Sequence, residues 1–316
     1  MQLRSLGRSG LQVSPLCFGG NVFGWTADEA TSHSLLDAWV DAGFNFIDTA
    51  DVYSRWAPGH QGGESEAVIG RWLARSGKRD QVVIATKVGM DMGEGRVGLK
   101  AARIREAVEA SLRRLGVDRI DLYQAHKDDE ETPLEETLEA FARLIEAGKV
   151  RAIGASNYSA ARLAEALQTS ARLGLPRYES LQPLYNLSDR AGFEAELQPL
   201  CMKEEVGVIS FYALAAGFLS GKYRTAEDAA QSPRGKNVVA KYLNERGLRI
   251  LAALDEASHA LGKPVSQIAV AWVMARPGIT APIASATSVE QLQSLVEATR
   301  LQLPAEVMAN LDAASV

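Results

Sequence analysis

Cysteine and histidine are scarce in this chain of 316 residues, and each scarcity disfavours a class of protein. The two cysteines, Cys17 and Cys201, lie among apolar neighbours with no useful spacing between them. That suits buried thiols in a reducing compartment better than a disulfide framework. The four histidines, His33, His60, His126 and His259, show no paired spacing, which argues against a metal-dependent barrel hydrolase, and no metal is expected. Long apolar runs are also missing: the longest, residues 211–219, falls far short of the roughly 20 residues that cross a bilayer. Residues 1–10 hold no apolar signal core. A net charge of -5 with no dense cluster of Lys and Arg argues against nucleic acid. A cytoplasmic protein is expected, with no membrane or nucleic-acid partner. Oligomeric state is not legible.

What is present is a repeating rhythm. A hydrophobic content of 47% can fill one large core. Residues 1–14 read as a small β-hairpin around Gly7-Arg8-Ser9-Gly10. Apolar strand signals at 15–19, 44–49, 82–87, 120–124, 150–155, 179–183, 207–212 and 279–284 then alternate with helix signals at 28–42, 64–76, 100–115, 133–148, 159–173, 193–205, 264–275 and 288–298. Eight βα units predict a closed (β/α)8 TIM barrel filling residues 1–316 as one domain, with an open doubly wound sheet as the alternative. Long segments follow individual strands at 20–27, 50–63, 89–98 and 213–243, and in a barrel all four lie on the C-terminal rim.

Two glycine-rich stretches mimic phosphate-binding motifs. Gly93-Glu94-Gly95-Arg96-Val97-Gly98 fits GxGxxG, but it starts several residues after its strand, and Arg113 stands where an acidic ribose ligand is wanted. Residues 216–223 nearly match a P-loop, yet Tyr223 replaces the Ser or Thr that would hold Mg²⁺.

The candidate chemistry lies at strand ends. Asp48 closes the run Phe44-Asn45-Phe46-Ile47, although read alone it is equally an ordinary turn cap. Lys87 ends the next strand, and an ammonium after five apolar or small residues needs a partner. Neighbouring strands lie about 4.8 Å apart, so the two can pair. His126 closes the following strand, and Tyr53 sits in the loop after the first. A carboxylate, an ammonium, an imidazole and a phenol converging on one rim form a proton-handling set. The ammonium is expected to bring the phenol's pKa toward working range, and a neutral His126 could donate to a carbonyl oxygen.

Taken together, Gly43 to Ala50 with Tyr53, Glu64 to Gly70, Ala85-Thr86-Lys87, and Leu122 to His126 resemble, in order and in spacing, the motifs of the aldo/keto reductase family. The long segment after strand seven is similar to the bacterial branch that also resembles potassium-channel β-subunits. The resemblance implies reversible NADPH-dependent reduction of an aldehyde or ketone. Tyr53 is then the proton donor, Lys87 and Asp48 its tuning pair, and His126 the orienter of the carbonyl. It further implies Ser156, Asn157 and Gln182 as nicotinamide carboxamide ligands, Phe211 as the ring-stacking aromatic, and Leu214, Gly217 and Lys222 along the pyrophosphate. At the adenine end it implies Ser285 and Gln291. Gln291 replaces a basic residue of many relatives, and Ser294 and Leu295 a frequent acid and amide, so NADH stays open beside NADPH. Asn45 replaces an Arg. Trp25 and Trp56 are candidate substrate walls, with a packing role equally open. The alternative function is a cofactor-binding redox sensor or regulatory subunit with slow turnover.

Overall fold

A computed structural model describes residues 2–316. The chain opens with β1 (Arg4–Ser5) and β2 (Gln12–Val13), paired antiparallel, and then enters β3 (Cys17–Gly19) and α1 (Glu29–Asp41). There follow β4 (Phe46–Asp48), α2 (Glu64–Ser76), β5 (Val83–Val88), α3 (Ala101–Leu115), β6 (Ile120–Ala125), α4 (Leu134–Glu146), β7 (Val150–Ser156), α5 (Ala160–Leu173) and β8 (Tyr178–Gln182). The last part runs through α6 (Ala191–Glu194), α7 (Leu197–Lys203), β9 (Gly207–Val208), α8 (Gly235–Tyr242), α9 (Glu245–Leu261), α10 (Val265–Met274), β10 (Ile283–Ala284), α11 (Val289–Ala298) and α12 (Ala305–Ala314).

All eight strands from β3 onward are parallel, in the order β10-β3-β4-β5-β6-β7-β8-β9. The ring closes where Val208 bridges Ile279 and Ile283 N donates to Ser210 O at 2.7 Å. This is the (β/α)8 barrel expected from the eight-fold rhythm.

Side chains alternate across each strand. Ile47, Ile84 and Val88 face outward into a helix-packed core with Trp39, Trp72 and Leu138, whereas Phe46, Val83, Ala85 and Leu122 face the barrel axis. Leu6, Leu11 and Val13 of the hairpin join that inner cluster and plug the N-terminal end. Asn45 fastens the plug: its Oδ1 accepts from Ser14 N at 2.8 Å and its Nδ2 donates to Gln12 O at 2.9 Å. Cys17 lies in the inner cluster, its thiol pushed well up by burial, and burial pushes the Cys201 thiol up to about 12.

Three helical expectations need correction. The helix expected at 193–205 is split into α6 and α7, because Pro199 has no N–H to donate and fits only in the first turn of a helix. The segment 213–243 is not all loop: it contains α8 and two 3-10 turns, Ala215–Ser220 and Ala226–Gln231. α9 and α12 were not foreseen at all. Four strands, β3, β4, β9 and β10, are shorter than expected, the last two by the most. β9 ends at Val208, since the neighbouring Pro183 cannot donate a ladder bond, although Ile209 N and Phe211 N still donate to Leu181 O and Pro183 O, each at 2.9 Å. β10 begins only at Ile283, because Thr280 N and Ala281 N both turn to Val208 O.

Candidate active site

Asp48 is the last residue of β4, and inward alternation points it along the barrel axis beside Lys87 of β5. Lys87 Nζ donates to Asp48 Oδ2 at 2.6 Å, to Thr49 O at 2.8 Å and to Tyr53 OH at 2.8 Å. Tyr53 OH in turn donates to Asp48 Oδ2 at 3.0 Å. Lys87 is 0% exposed and Asp48 1%, so each charge depends on the other for its stability in the interior. The second carboxylate oxygen is held by Gln182, whose Nε2 donates to Asp48 Oδ1 at 2.9 Å. Gln124, two residues before His126 on the same face of β6, donates to the same oxygen at 3.5 Å. Gln124 was not singled out from the sequence, though its alternation with His126 was the available signal.

Electrostatics here differ from the expectation in one respect. The Tyr53 phenol is pushed well above its ordinary pKa, first by burial and then by the Asp48 charge and hydrogen bond, so the ammonium does not prevail. Lys87 is lowered by burial, with Asp48 opposing. The phenol therefore stays protonated at neutral pH. His126 is held neutral: burial, and then Lys87, depress its pKa well below the usual value. Its ring stands edge-on to Tyr53 with centroids 5.9 Å apart.

These groups floor a cavity of about 770 Å³ on the C-terminal rim. Tyr53 and His126 line it directly, and Lys87 and Asp48 lie just beneath. One flank carries Ser156 and Asn157 at the end of β7, with Gln182 and Phe211 beyond. Ser156 Oγ donates to Gln182 O at 2.9 Å, and Asn157 Nδ2 donates to His126 O at 2.9 Å. Asn157 adopts φ 57, a left-handed conformation unusual for a non-glycine residue and held here by those bonds. No described residue donates to Asn157 Oδ1 or Gln182 Oε1, which leaves two acceptors free at the cavity edge.

The cavity continues along Leu214, Gly217 and Lys222, where Ala215, Ala216 and Gly217 have φ 47, 55 and 98 in succession. In that turn Ala215 N donates to Tyr212 O at 2.7 Å and Gly217 N to Leu214 O at 2.8 Å, so these two N–H groups are already used and Lys222 is the charge the segment turns to the cavity. It ends at Ser285 and Gln291. Ser285 Oγ donates to Asn21 Oδ1 at 2.6 Å, and Gln291 Oε1 accepts from Thr287 N at 2.9 Å. Ser294, by contrast, is engaged by Gln267 Nε2 at 3.2 Å. On the opposite flank Trp25 and Trp56 meet edge to face at 5.5 Å, and Trp56 lies 6.0 Å from the Tyr53 ring. Every residue singled out from the sequence as catalytic, cofactor-binding or substrate-facing thus lies in or directly under one cavity. Arg234, which also lines it, carried no sequence signal.

The glycine motif at 93–98 is a turn. Gly93, Gly95 and Gly98 all have positive φ, and Gly98 N donates back to Gly89 O at 3.1 Å. Among the described residues no cluster of three or more His, Cys, Asp or Glu could hold a metal. Among the described residues no helix is long and apolar enough to cross a membrane.

The sequence profile of the Aldo/keto reductase family matches residues 15–316. The chain belongs to the aldo/keto reductase family. Among its relatives is the Bacillus subtilis (strain 168) protein described as uncharacterized oxidoreductase YrpG, 34% identical over 99% of this chain and 95% of its own length. A probable voltage-gated potassium channel subunit beta from Arabidopsis thaliana is 34% identical, covering 94% of this chain and 91% of its own. An L-glyceraldehyde 3-phosphate reductase from Escherichia coli O157:H7 is 31% identical over 99% and 92%. This aldo/keto reductase is accordingly an oxidoreductase.

Proposed function

We propose that this protein reduces an aldehyde or ketone to the alcohol, reversibly, using NADPH and accepting NADH. The observation that carries the reading is the contact of the Tyr53 hydroxyl with the Lys87 ammonium at 2.8 Å, on the floor of an open cavity beside a neutral imidazole. The residues present suit the cofactor. The free oxygens of Asn157 and Gln182, with Ser156, would hold a carboxamide, and Phe211 would lie against the ring. Leu214, Gly217 and Lys222 would follow the pyrophosphate, and Ser285 and Gln291 the adenosine. NADPH, when bound, supplies the hydride.

The chain's own groups handle the proton. His126, neutral and at the cavity floor, orients the carbonyl oxygen by a hydrogen bond. Tyr53 gives its hydroxyl proton to that oxygen as negative charge develops there; an alkoxide is a much stronger base than a phenolate, so transfer runs downhill even from a phenol pushed up by burial. Lys87, hydrogen-bonded to the same hydroxyl, stabilises the phenolate left behind, while Asp48 keeps the ammonium charged and aimed. Trp25 and Trp56 wall the substrate side.

Tyr53→Phe removes only the proton source. Its expected result is a fall in kcat of about a hundred- to ten-thousandfold on small aldehydes, with NADPH binding, read by tryptophan quenching, largely kept. Normal turnover in that variant would overturn the assignment. The channel subunit among the relatives keeps the sensor reading in view, and a wild-type kcat far below about 1 per second on every carbonyl tried would favour it.

A further inference from the structure

Behind the proton donor, on the outer side of the barrel wall, lies a cluster of charged groups that the chemistry above does not use. Asp51 belongs to the turn between β4 and Tyr53, and neither it nor Arg103 lines the cavity. Arg103 Nη2, from the first turn of α3, donates to Asp51 Oδ2 at 3.0 Å. Glu66 of α2 and Arg114 of α3 pair alongside, Thr86 Oγ1 of β5 donates to Glu66 Oε1 at 2.6 Å, and the Tyr123 phenol of β6 faces the same charges. Asp51 is 1% exposed and the Arg103 side chain 10%. Asp51 Oδ1 and Arg103 Nε meet no described partner, so the one side-chain hydrogen bond each of them makes is to the other.

Such a pair is a poor choice for packing alone. Taking two charges out of water offsets most of their attraction, and apolar residues of similar size would fill the wall at least as well. Glu66 adds to the cost by repelling the second carboxylate. What a charged pair supplies, and an apolar one does not, is a fixed direction between the elements it joins. One of those elements is rigid: Leu99 N donates to Asp129 Oδ2 at 2.7 Å and Ala101 N to Glu136 Oε1 at 2.9 Å, which fastens the start of α3. The other is held weakly by its own backbone. Asp51 N reaches Lys87 O only at 3.4 Å and Tyr53 N reaches Ala50 O at 3.2 Å, while Ser54 just beyond has φ 73, an unfavourable value for a non-glycine residue. The Tyr53 hydroxyl sits at the far end of a long, rigid side chain, so a small rotation of this turn carries it away from Lys87 Nζ and from a carbonyl oxygen alike.

We propose that Asp51 is a positioning residue for Tyr53: gripped by Arg103 of α3, it sets the turn that holds the phenol against Lys87, so that proton transfer depends on a pair that touches neither substrate nor cofactor. The inference rests on the reductase reading.

The test is a double-mutant cycle of Asp51→Asn, Arg103→Gln and the two together on a small aldehyde, with Arg103→Lys as the conservative change. Each of Asp51→Asn and Arg103→Gln is expected to lower kcat about ten- to hundredfold, the cost of a slightly misplaced reacting group. The aldehyde KM and the NADPH dissociation constant, read by tryptophan quenching, stay within about twofold of the wild type, since only an interaction of the transition state is lost. The double variant falls no further than the worse single one, because the two residues act as a unit, and Arg103→Lys recovers part of the loss. The solvent deuterium isotope effect on kcat rises in Asp51→Asn as transfer from the misplaced phenol becomes limiting. Should Asp51→Asn not fold, Arg103→Gln and Arg103→Lys carry the same comparison, since Asp51 left without its cation can take up a proton.

Folded variants with a kcat within about twofold of the wild type, losses that multiply in the double variant, or a raised KM at unchanged kcat each overturn the proposal. A wild type that turns over no aldehyde removes the reductase reading instead, and a measurement without turnover then decides the pair. In protein labelled with 3-fluorotyrosine, the fluorine resonance lost in Tyr53→Phe identifies the phenol. Its displacement in Arg103→Gln keeps the positioning role, and an unmoved resonance overturns it.

Discussion

Asp51 stands two residues before Tyr53 and is buried on the outer side of the barrel wall at 1% exposure. Its Oδ2 is 3.0 Å from Arg103 Nη2, and its Oδ1 meets no described partner. Glu66, which engages Arg114 and accepts from Thr86 Oγ1 at 2.6 Å, and the buried Tyr123 hydroxyl complete the surroundings. Burial first, and then the Glu66 charge, raise the Asp51 carboxyl to about 7 against Arg103 and Arg114. A carboxyl raised in the folded state binds a proton that the unfolded chain has released, so its contribution to stability is full below the unfolded carboxyl value, shrinks as pH rises above that, and is gone once pH has passed about 7. His126 acts in the opposite sense: its depressed pKa makes stability fall as pH drops below the unfolded imidazole value. Asp51→Asn isolates the first effect. Urea unfolding at pH 6 and pH 8 is expected to show that the wild type's gain on acidification exceeds the variant's by about 1 kcal/mol. Identical pH profiles would show that Asp51 is ionised throughout.

At the level of the element, α11 holds the end of the cavity proposed for the adenosine. Ser288 caps it, accepting from Gln291 N at 3.3 Å, and the Gln291 side chain is committed to Thr287. No cation stands beside Gln291 on the cavity wall, since Lys222 and Arg234 lie farther along. A 2'-phosphate gains much of its affinity from Arg or Lys, so dissociation constants for NADPH and NADH within about tenfold of each other are expected. Gln291→Arg should tighten NADPH by about tenfold and leave NADH nearly unchanged. Strong NADPH preference in the wild type would place the phosphate on other groups. Elements also mark what the sequence conceals. The stripe of α9, Gly247, Ile250, Leu251, Leu254 and Ala257, is as periodic as any helix that was foreseen, but it follows a long rim segment and breaks the one-helix-per-strand rhythm. Arg234 was hidden differently: its neighbours Trp25 and Trp56 are distant in sequence, whereas Asp48, Lys87 and His126 announce themselves by ending apolar strands.

Over the whole molecule, chemistry and stability occupy opposite ends of one ring. Every loop that lines the cavity leaves the C-terminal edge of a strand, and the hairpin plugs the N-terminal edge with Leu6, Leu11 and Val13. Asn45 belongs to the plug. One residue before β4 and three before Asp48, it alternates to the other side of the strand and spends its amide on Ser14 and Gln12. The sequence already separated Asn45 from the site by that alternation, but it could not show the latch, which depends on a hairpin folding back over the N-terminal end of the barrel. Asn45→Ala leaves Ser14 N and Gln12 O without their partner. The expected cost is about 1 to 3 kcal/mol, read as a lower urea midpoint at unchanged slope. Aldehyde turnover per folded molecule should match the wild type, because the inner cluster of Phe46, Val83, Ala85 and Leu122 lies between the latch and the Asp48–Lys87 pair. A variant equally stable but slower would mean that the plug sets the position of β4, and through it the carboxylate that anchors Lys87.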